Sequence, residues 1–353
     1  MEIIRRKTRV IEIGRVLIGG NHSVAIQSMV KCKTSDIKMA VREIKALEKC
    51  GCEIVRLAIK DSDDARALKQ IKRETNIPLV ADIHFQWNLA IEAIENGADK
   101  IRLNPGNIYR KSEIKEIIAA LKIARIPLRI GLNSGSIGST NSKNLSIADR
   151  LVSSALDYIR TVEKFKFDDI VVSLKASTVL DTVEAYRKLS KHCDYPFHLG
   201  VTATGSPGDG AVKSAMAIGA LLLEGIGDTI RISLTARPEE EVKVAKAILA
   251  GLGLRCFGPE VISCPTCGRC EVDLVSIVKD LEKKLTAYSL KLTASSEFLS
   301  MLNAKKPAIL SHAKFKGIAF LHLISQLHFI VFISRVRISA GEAILKADVQ
   351  VVA

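Results

Sequence analysis

From about residue 24 the chain repeats one unit eight times: a short run of β-forming residues, a polar or glycine-containing loop, and a segment with apolar residues at helical spacing. The runs are Val24–Met29, Glu53–Ala58, Pro78–Ile83, Lys100–Leu103, Pro127–Leu132, Ile170–Leu174, Phe197–Thr202 and Thr229–Leu234. Most are apolar at consecutive positions, as strands buried on both faces must be. In the first helical segment Ile37, Val41, Ile44 and Leu47 share one stripe, with Ser35 expected as the N-cap and Gly51 just past the end. Ala65, Leu68 and Ile71 repeat the pattern. The helix after the eighth run begins at Pro238 with three glutamates in its first turn, which suits the helix dipole. Eight strand–helix pairs in about 230 residues predict an α/β fold closed into a (β/α)8 TIM barrel. A doubly wound open sheet is the structural rival, but the glycine-rich dinucleotide loop it usually carries after the first strand is absent. Residues Arg9–Ile18 read as a small hairpin that could cover the barrel's lower mouth.

At 353 residues the chain has room for a barrel and a small second domain. Past about Cys256 the rhythm stops, and Ser263–Arg269 (SCPTCGR) opens a new element followed by an amphipathic helix over Asp273–Leu285. The composition shifts again from Thr286. The expected domains are therefore 1–255, 256–285 and a tail over 286–353. Gly317–Ile333 in that tail lacks Asp, Glu, Lys and Arg, but a membrane span needs about 20 predominantly apolar residues, and the His, Gln and Ser in and beside this stretch argue against one. The N-terminus has charge without an apolar core or cleavage site, so no secretory signal is expected and the chain reads as cytosolic. Its eight cysteines are then expected to be reduced or to bind metal.

In a barrel the chemistry sits where strands end and the following loops begin. Here those positions are polar: Gln27 and Ser28 in the first run, Arg56 in the second, Asp82 and His84 at the third, Arg102, Asn104 and Asn107 at the fourth, Arg129 and Asn133 at the fifth. Ser173 and Lys175 end the sixth, His198 and Thr202 bracket the seventh, and Arg231 and Ser233 lie in the eighth. A charge in an apolar strand is costly unless it is paired or faces a cavity. Four arginines and a lysine recur with few carboxylates at matching places, which implies an anionic ligand. Arginine's planar fork suits phosphate. The net charge of +14 is compatible with this and does not indicate nucleic acid, because the basic residues are scattered and one Trp and five Tyr offer few stacking platforms.

Cys264 and Cys267 form a C-x-x-C pair, with Cys270 three residues on. Such spacing gathers sulfurs on a tight turn, as zinc and iron–sulfur sites both require. A ferredoxin-type run would need a fourth cysteine at position 274, which is Leu, and no cysteine pair lies downstream for a structural zinc. Cys32, Cys50, Cys52 and Cys193 read as ordinary thiols of the barrel.

The segments AIQSM, EIVRLAI, PLVADIHF, ADKIRLNPGNI, PLRIGLNSGS, VVSLKAS, FHLGVT, IRISLT and ISCPTCGR, in this order over roughly residues 5–285, resemble the 4-hydroxy-3-methylbut-2-en-1-yl diphosphate synthase family. The resemblance implies a barrel followed by a small domain with a [4Fe-4S] cluster. It also implies a homodimer, and reductive ring opening of 2-C-methyl-D-erythritol 2,4-cyclodiphosphate with two electrons from flavodoxin or ferredoxin. Carried over, it makes Arg56, His84, Arg102, Asn104, Arg129, Asn133, Lys175 and Arg231 substrate-binding candidates. Cys264 and Cys267 become cluster ligands, with Cys270 a further candidate. Departures accompany it. Ala203 replaces the acid of the family's GVTEAG motif, Arg237 stands for an aspartate, and the first loop reads VKCKTSD. The family's third cluster cysteine, in G-C-x-x-N-G-P-G-E-A, has no counterpart: its place holds SSEFLSMLNAKK, and the GEA at Gly341–Ala343 lacks the cysteine. Glu342 is not taken as a ligand, and the iron–sulfur domain reads as incomplete. The competing reading is a non-catalytic remnant or partner subunit whose barrel still binds a phosphorylated ligand.

Overall fold

A computed structural model of the chain describes residues 3–136, 145–202, 205–258, 260–263, 265, 267, 273–283, 331–338 and 345–351. It divides into two compact units, Met1–Arg255 and Cys256–Ala353.

The first unit is the expected barrel. After a hairpin of β1 (Ile11–Ile13) and β2 (Val16–Ile18), eight parallel strands follow: β3 (Ala25–Met29), β4 (Ile54–Ile59), β5 (Leu79–Ile83), β6 (Lys100–Leu103), β7 (Leu128–Asn133), β8 (Ile170–Lys175), β9 (His198–Leu199) and β10 (Thr229–Ile230). They are hydrogen-bonded in the order β8-β7-β6-β5-β4-β3-β10-β9, and a parallel bridge from Val172 to Phe197 joins β8 to the segment entering β9. The ring is thereby closed. The last two strands are shorter than the sequence runs suggest, although single bonds such as Arg231 N–H to Leu199 O continue the pairing beyond them.

The helices between the strands are α1 (Ile37–Lys49), α2 (Ser62–Glu74), α3 (Asn88–Glu95), α4 (Lys111–Ala124), α5 (Ile147–Lys164), α6 (Val179–Leu189), α7 (Pro207–Leu223) and α8 (Pro238–Gly251). The stripe Val41, Ile44 and Leu47 of α1 is buried, as is Ala65, Leu68 and Ile71 of α2. Gly51 follows α1 with φ +86°, a left-handed turn that glycine adopts without strain. The cap of α1 differs from expectation: Asp36, not Ser35, accepts the Met39 N–H at 3.2 Å. Ser35 instead donates its backbone N–H to Asp64 of α2, at 2.8 Å, which leaves the next residue at the helix start.

Strand register fixes what faces the barrel interior. Side chains of alternate strands form layers when the pairing climbs around a barrel of this shear. Following the register, Ile54, Lys100, Val171 and Thr229 form one layer; Gln27, Val80, Arg129 and His198 lie above it, and Arg56, Arg102, Ser173 and Arg231 above those. Below, the hairpin closes the mouth: Ile11, Ile13 and Ile18 cluster with Ala25, Ile54, Val80 and Val171, all buried.

In the second unit β11 (Glu260–Ser263) pairs in parallel with β13 (Leu345–Val351), which pairs antiparallel with β12 (Val331–Ile338). A helix spans 274–283, within the expected Asp273–Leu285, and buries Leu274 and Leu281. Of the uncharged stretch only 331–333 is described. Among the described residues no helix is long and apolar enough to cross a membrane.

Candidate functional site

The upper layers open into a cavity of about 180 Å³ at the C-terminal mouth of the barrel. Seven of the eight binding candidates line it: Arg56, His84, Arg102, Arg129, Asn133, Lys175 and Arg231. Asp82, Ser173, Thr202 and Ser233 line it too, with Met29 from β3. Asn104 is buried but is not among the lining residues. Its Oδ1 accepts from the Gly106 N–H and the Ser136 hydroxyl, both at 3.2 Å, so it ties the loop after β6 to the 3-10 turn Ser134–Ser136. Ser28 turns outward and donates to Glu241 of α8 at 3.1 Å. This follows from the strand's alternation, which puts Gln27 inside and its neighbour outside.

One buried carboxylate organises the pocket. Asp82 meets Arg102 at 3.0 Å, His84 at 3.5 Å and Arg56 at 3.6 Å. Burial alone would raise its pKa; Arg56 and then Arg102 outweigh this and hold the carboxyl well below its usual range. Arg102 also donates to Gly131 O at 2.8 Å. Arg231 is held by Glu241 at 3.2 Å and Ser233 at 2.6 Å. Glu241 is 1% exposed, receives Lys31 at 3.1 Å and accepts the Leu234 N–H. Burial, and then Arg56, push the Arg231 guanidinium down to about 10.

Asp82 and Glu241 thus engage Arg56, Arg102 and Arg231. Arg129, Lys100 and Lys175 have no carboxylate within 4.0 Å among the described residues. Arg129 is 1% exposed, and among the described residues its Nε and Nη1 have no hydrogen-bond partner; nor has Lys100 Nζ. Burial first, then neighbouring guanidiniums, push both well below their ordinary values. Two glycines, one in β7 and one just past β9, make room for these chains. A Cβ on Gly131 would lie 2.6 Å from Arg102 Nε, and one on Gly200 would lie 2.8 Å from Lys175 Nζ. Lys100 and Glu241 were not legible as members of this cluster. Lys100 reads as the flank of a strand, and Glu241 reads as one of three dipole-pairing glutamates.

Ala203, Cys264 and Cys270 lie outside the described residues. Cys267 is exposed, and the described residues contain no group of three His, Cys, Asp or Glu able to hold a metal.

A (β/α)8 barrel with a cationic mouth is shared by many enzymes, so the fold alone does not name a family. A match to the GcpE TIM-barrel domain runs over residues 8–246. The chain belongs to the GcpE family. This GcpE protein is 50% identical over 283 residues to the "4-hydroxy-3-methylbut-2-en-1-yl diphosphate synthase (flavodoxin)" of Fusobacterium nucleatum, covering 80% of each chain. It is 48% identical over 285 residues to the synthase of the same name from Clostridium perfringens, covering 80% of this chain and 82% of that one. Among solved structures, dihydropteroate synthase from Stenotrophomonas maltophilia is similar at a TM-score of 0.53 and 13% identity, over 69% of this chain and 99% of that one. That likeness shows the fold and nothing further.

Proposed function

We propose that this GcpE protein is a 4-hydroxy-3-methylbut-2-en-1-yl diphosphate synthase, which reductively opens the ring of 2-C-methyl-D-erythritol 2,4-cyclodiphosphate to 4-hydroxy-3-methylbut-2-enyl diphosphate. The names of its relatives support that reaction and flavodoxin as the electron donor, with ferredoxin the alternative. The observation that carries the reading is the surplus of positive charge at the barrel mouth. Arg56, Arg102, Arg129, Lys175 and Arg231 line one cavity, with Asp82 as the only carboxylate among the described residues that line it. A cyclic diphosphate brings two negative charges into this field. Arginine forks bind phosphate oxygens bidentately, and a water-poor pocket strengthens each contact. Asn133, Thr202 and Ser233 add neutral donors at the rim. A remnant that only binds ligand is not favoured, because near-50% identity extends through 283 residues.

A [4Fe-4S] cluster would pass the two electrons, one at a time, from the flavodoxin donor to the ring that opens. Cys264 and Cys267 are its proposed ligands, with Cys270 the candidate third. Cys267 alone of the three is described, so the described residues do not by themselves make the donor set. The proposed setting is a homodimer in the cytosol.

Calorimetric titration of the full chain with the cyclic diphosphate tests the binding half of this proposal. Replacing Arg56, Arg102 or Arg129 with Ala is expected to weaken binding by about 1.5–3 kcal/mol each, the range for hydrogen bonds to charged groups. Unchanged affinity in all three variants overturns it.

A further inference from the structure

Lys175 ends β8, is 6% exposed and lines the cavity. Its Nζ lies 3.4 Å from Nε2 of His198, a fully buried residue that does not line the cavity. His198 Nδ1 is 2.8 Å from Thr229 Oγ1. When Lys175 is protonated its ammonium can only donate, so His198 Nε2 accepts from it and Nδ1–H donates to Thr229. Gly200 lies so close under the amine that any larger residue would displace it.

The groups around this pair are almost all cations. Arg56 comes from β4, Arg102 from β6, Arg129 from β7 and Arg231 from the residue just past β10. Lys100, one layer below Arg129, adds to the field at His198. Asp82 on β5 is occupied by Arg102 and Arg56. Guanidinium does not lose its proton under ordinary conditions, whereas an ammonium can. The lysine is therefore the cavity's outlet for excess charge. Burial, then Arg56, Arg231, Arg129 and Arg102, push its amine well below the ordinary lysine range. Burial, then Arg129, Lys175, Lys100 and Arg56, push the His198 imidazole well below its ordinary value.

We propose that Lys175, positioned by His198, is a proton acceptor linked to ligand binding: the chain takes up the dianionic cyclic diphosphate together with one proton, which resides on Lys175 Nζ. This rests on the anionic-ligand reading above. The proton comes from solvent and bonds to the amine lone pair; no other bond changes. A ligand that brings negative charge raises the amine's affinity for a proton, so affinity is greatest below the ligand-free pKa of Lys175. It falls as pH rises, by up to about tenfold per unit, until the ligand-bound pKa is passed.

The test is calorimetry of the full chain with 2-C-methyl-D-erythritol 2,4-cyclodiphosphate at a series of pH values from neutral to the ordinary lysine range, in buffers of different ionisation enthalpy. The phosphodiester groups of this ligand do not titrate there, so the buffer dependence reports the protein. Proton uptake by wild type is expected to rise to at most about one proton per ligand between the ligand-free and ligand-bound pKa values of Lys175. Lys175→Arg, which keeps the charge but cannot release it, is expected to bind with heat independent of buffer. Lys175→Met serves as a second variant and is expected to bind more weakly, also without uptake. Buffer-independent heat in wild type, or uptake that survives in both variants, overturns the proposal while leaving the anion site standing. No binding by wild type overturns the anion reading itself.

Discussion

At the lower end of the barrel, Ile11, Ile13 and Ile18 of the hairpin press on Ala25, Ile54, Val80 and Val171. At the upper end the same barrel presents Arg56, Arg102, Arg129, Lys175 and Arg231 to a cavity. Backbone geometry is alike at both ends, because one closed sheet supplies them. The side chains divide the labour. Below, apolar area leaves water at a gain of roughly 25 cal/mol per Å², with no charge to desolvate. Above, long cations lose hydration and lack enough carboxylates to compensate, which destabilises the ligand-free chain. The lower end therefore holds the barrel shut so that the upper end can keep charge unpaired for a ligand.

The largest expected effect breaks the lower end. Ile13→Ala removes a side chain that is fully buried in the plug and should cost about 2–5 kcal/mol in urea unfolding of the ligand-free chain. Affinity for the cyclic diphosphate should not change. Equal losses of stability and affinity would mean that the two ends are not separable.

The opposite sign is expected above. Arg129→Met removes a buried guanidinium with two unpartnered nitrogens. Apolar replacement of buried charge is often neutral or stabilising by about 1–4 kcal/mol, so unfolding of the ligand-free chain should shift to higher urea while ligand binding weakens. If Arg129→Met lowers stability, the upper layers are already compensated and the contrast between the ends is wrong.

Much of this contrast was legible in the sequence, for reasons tied to particular residues. Strands buried on both faces leave runs such as IVRLAI, where a single arginine stands out because burying it is expensive. The plug was legible because Arg9–Ile18 alternates around a turn and precedes the first barrel strand. What escaped depends on contacts between distant segments. Lys100 gains its meaning from sharing the barrel interior with Arg129 of another strand. Glu241 looks like a dipole-complementing acid, yet it reaches Ser28, Lys31 and Arg231 at once. Asn104 sits in the motif beside Arg102 but braces loops. Ser35 and Asp36 are both good caps, and the choice between them is made by Asp64 on another helix.

The smallest expected effect concerns Asp82, the one acid among the described residues that line the cationic cavity. Its folded pKa lies below the unfolded value of about 3.9, because Arg56 and Arg102 outweigh its burial. A depressed carboxyl contributes stability that is fully present above the unfolded pKa and is lost as pH falls through the folded one. Comparing wild type with Asp82→Asn isolates this contribution from the other carboxylates, which titrate in both chains. The stability gap between them should be constant at neutral and mildly acidic pH. Below about pH 4 it should narrow, with a slope of at most about 1.4 kcal/mol per pH unit, the value for one proton. Denaturant unfolding at a series of pH values measures it. A gap that stays constant into strong acid would show that Asp82 is not coupled to the arginines. Their charges would then be screened by water, and the upper end would carry less of the strain that a dianionic ligand relieves.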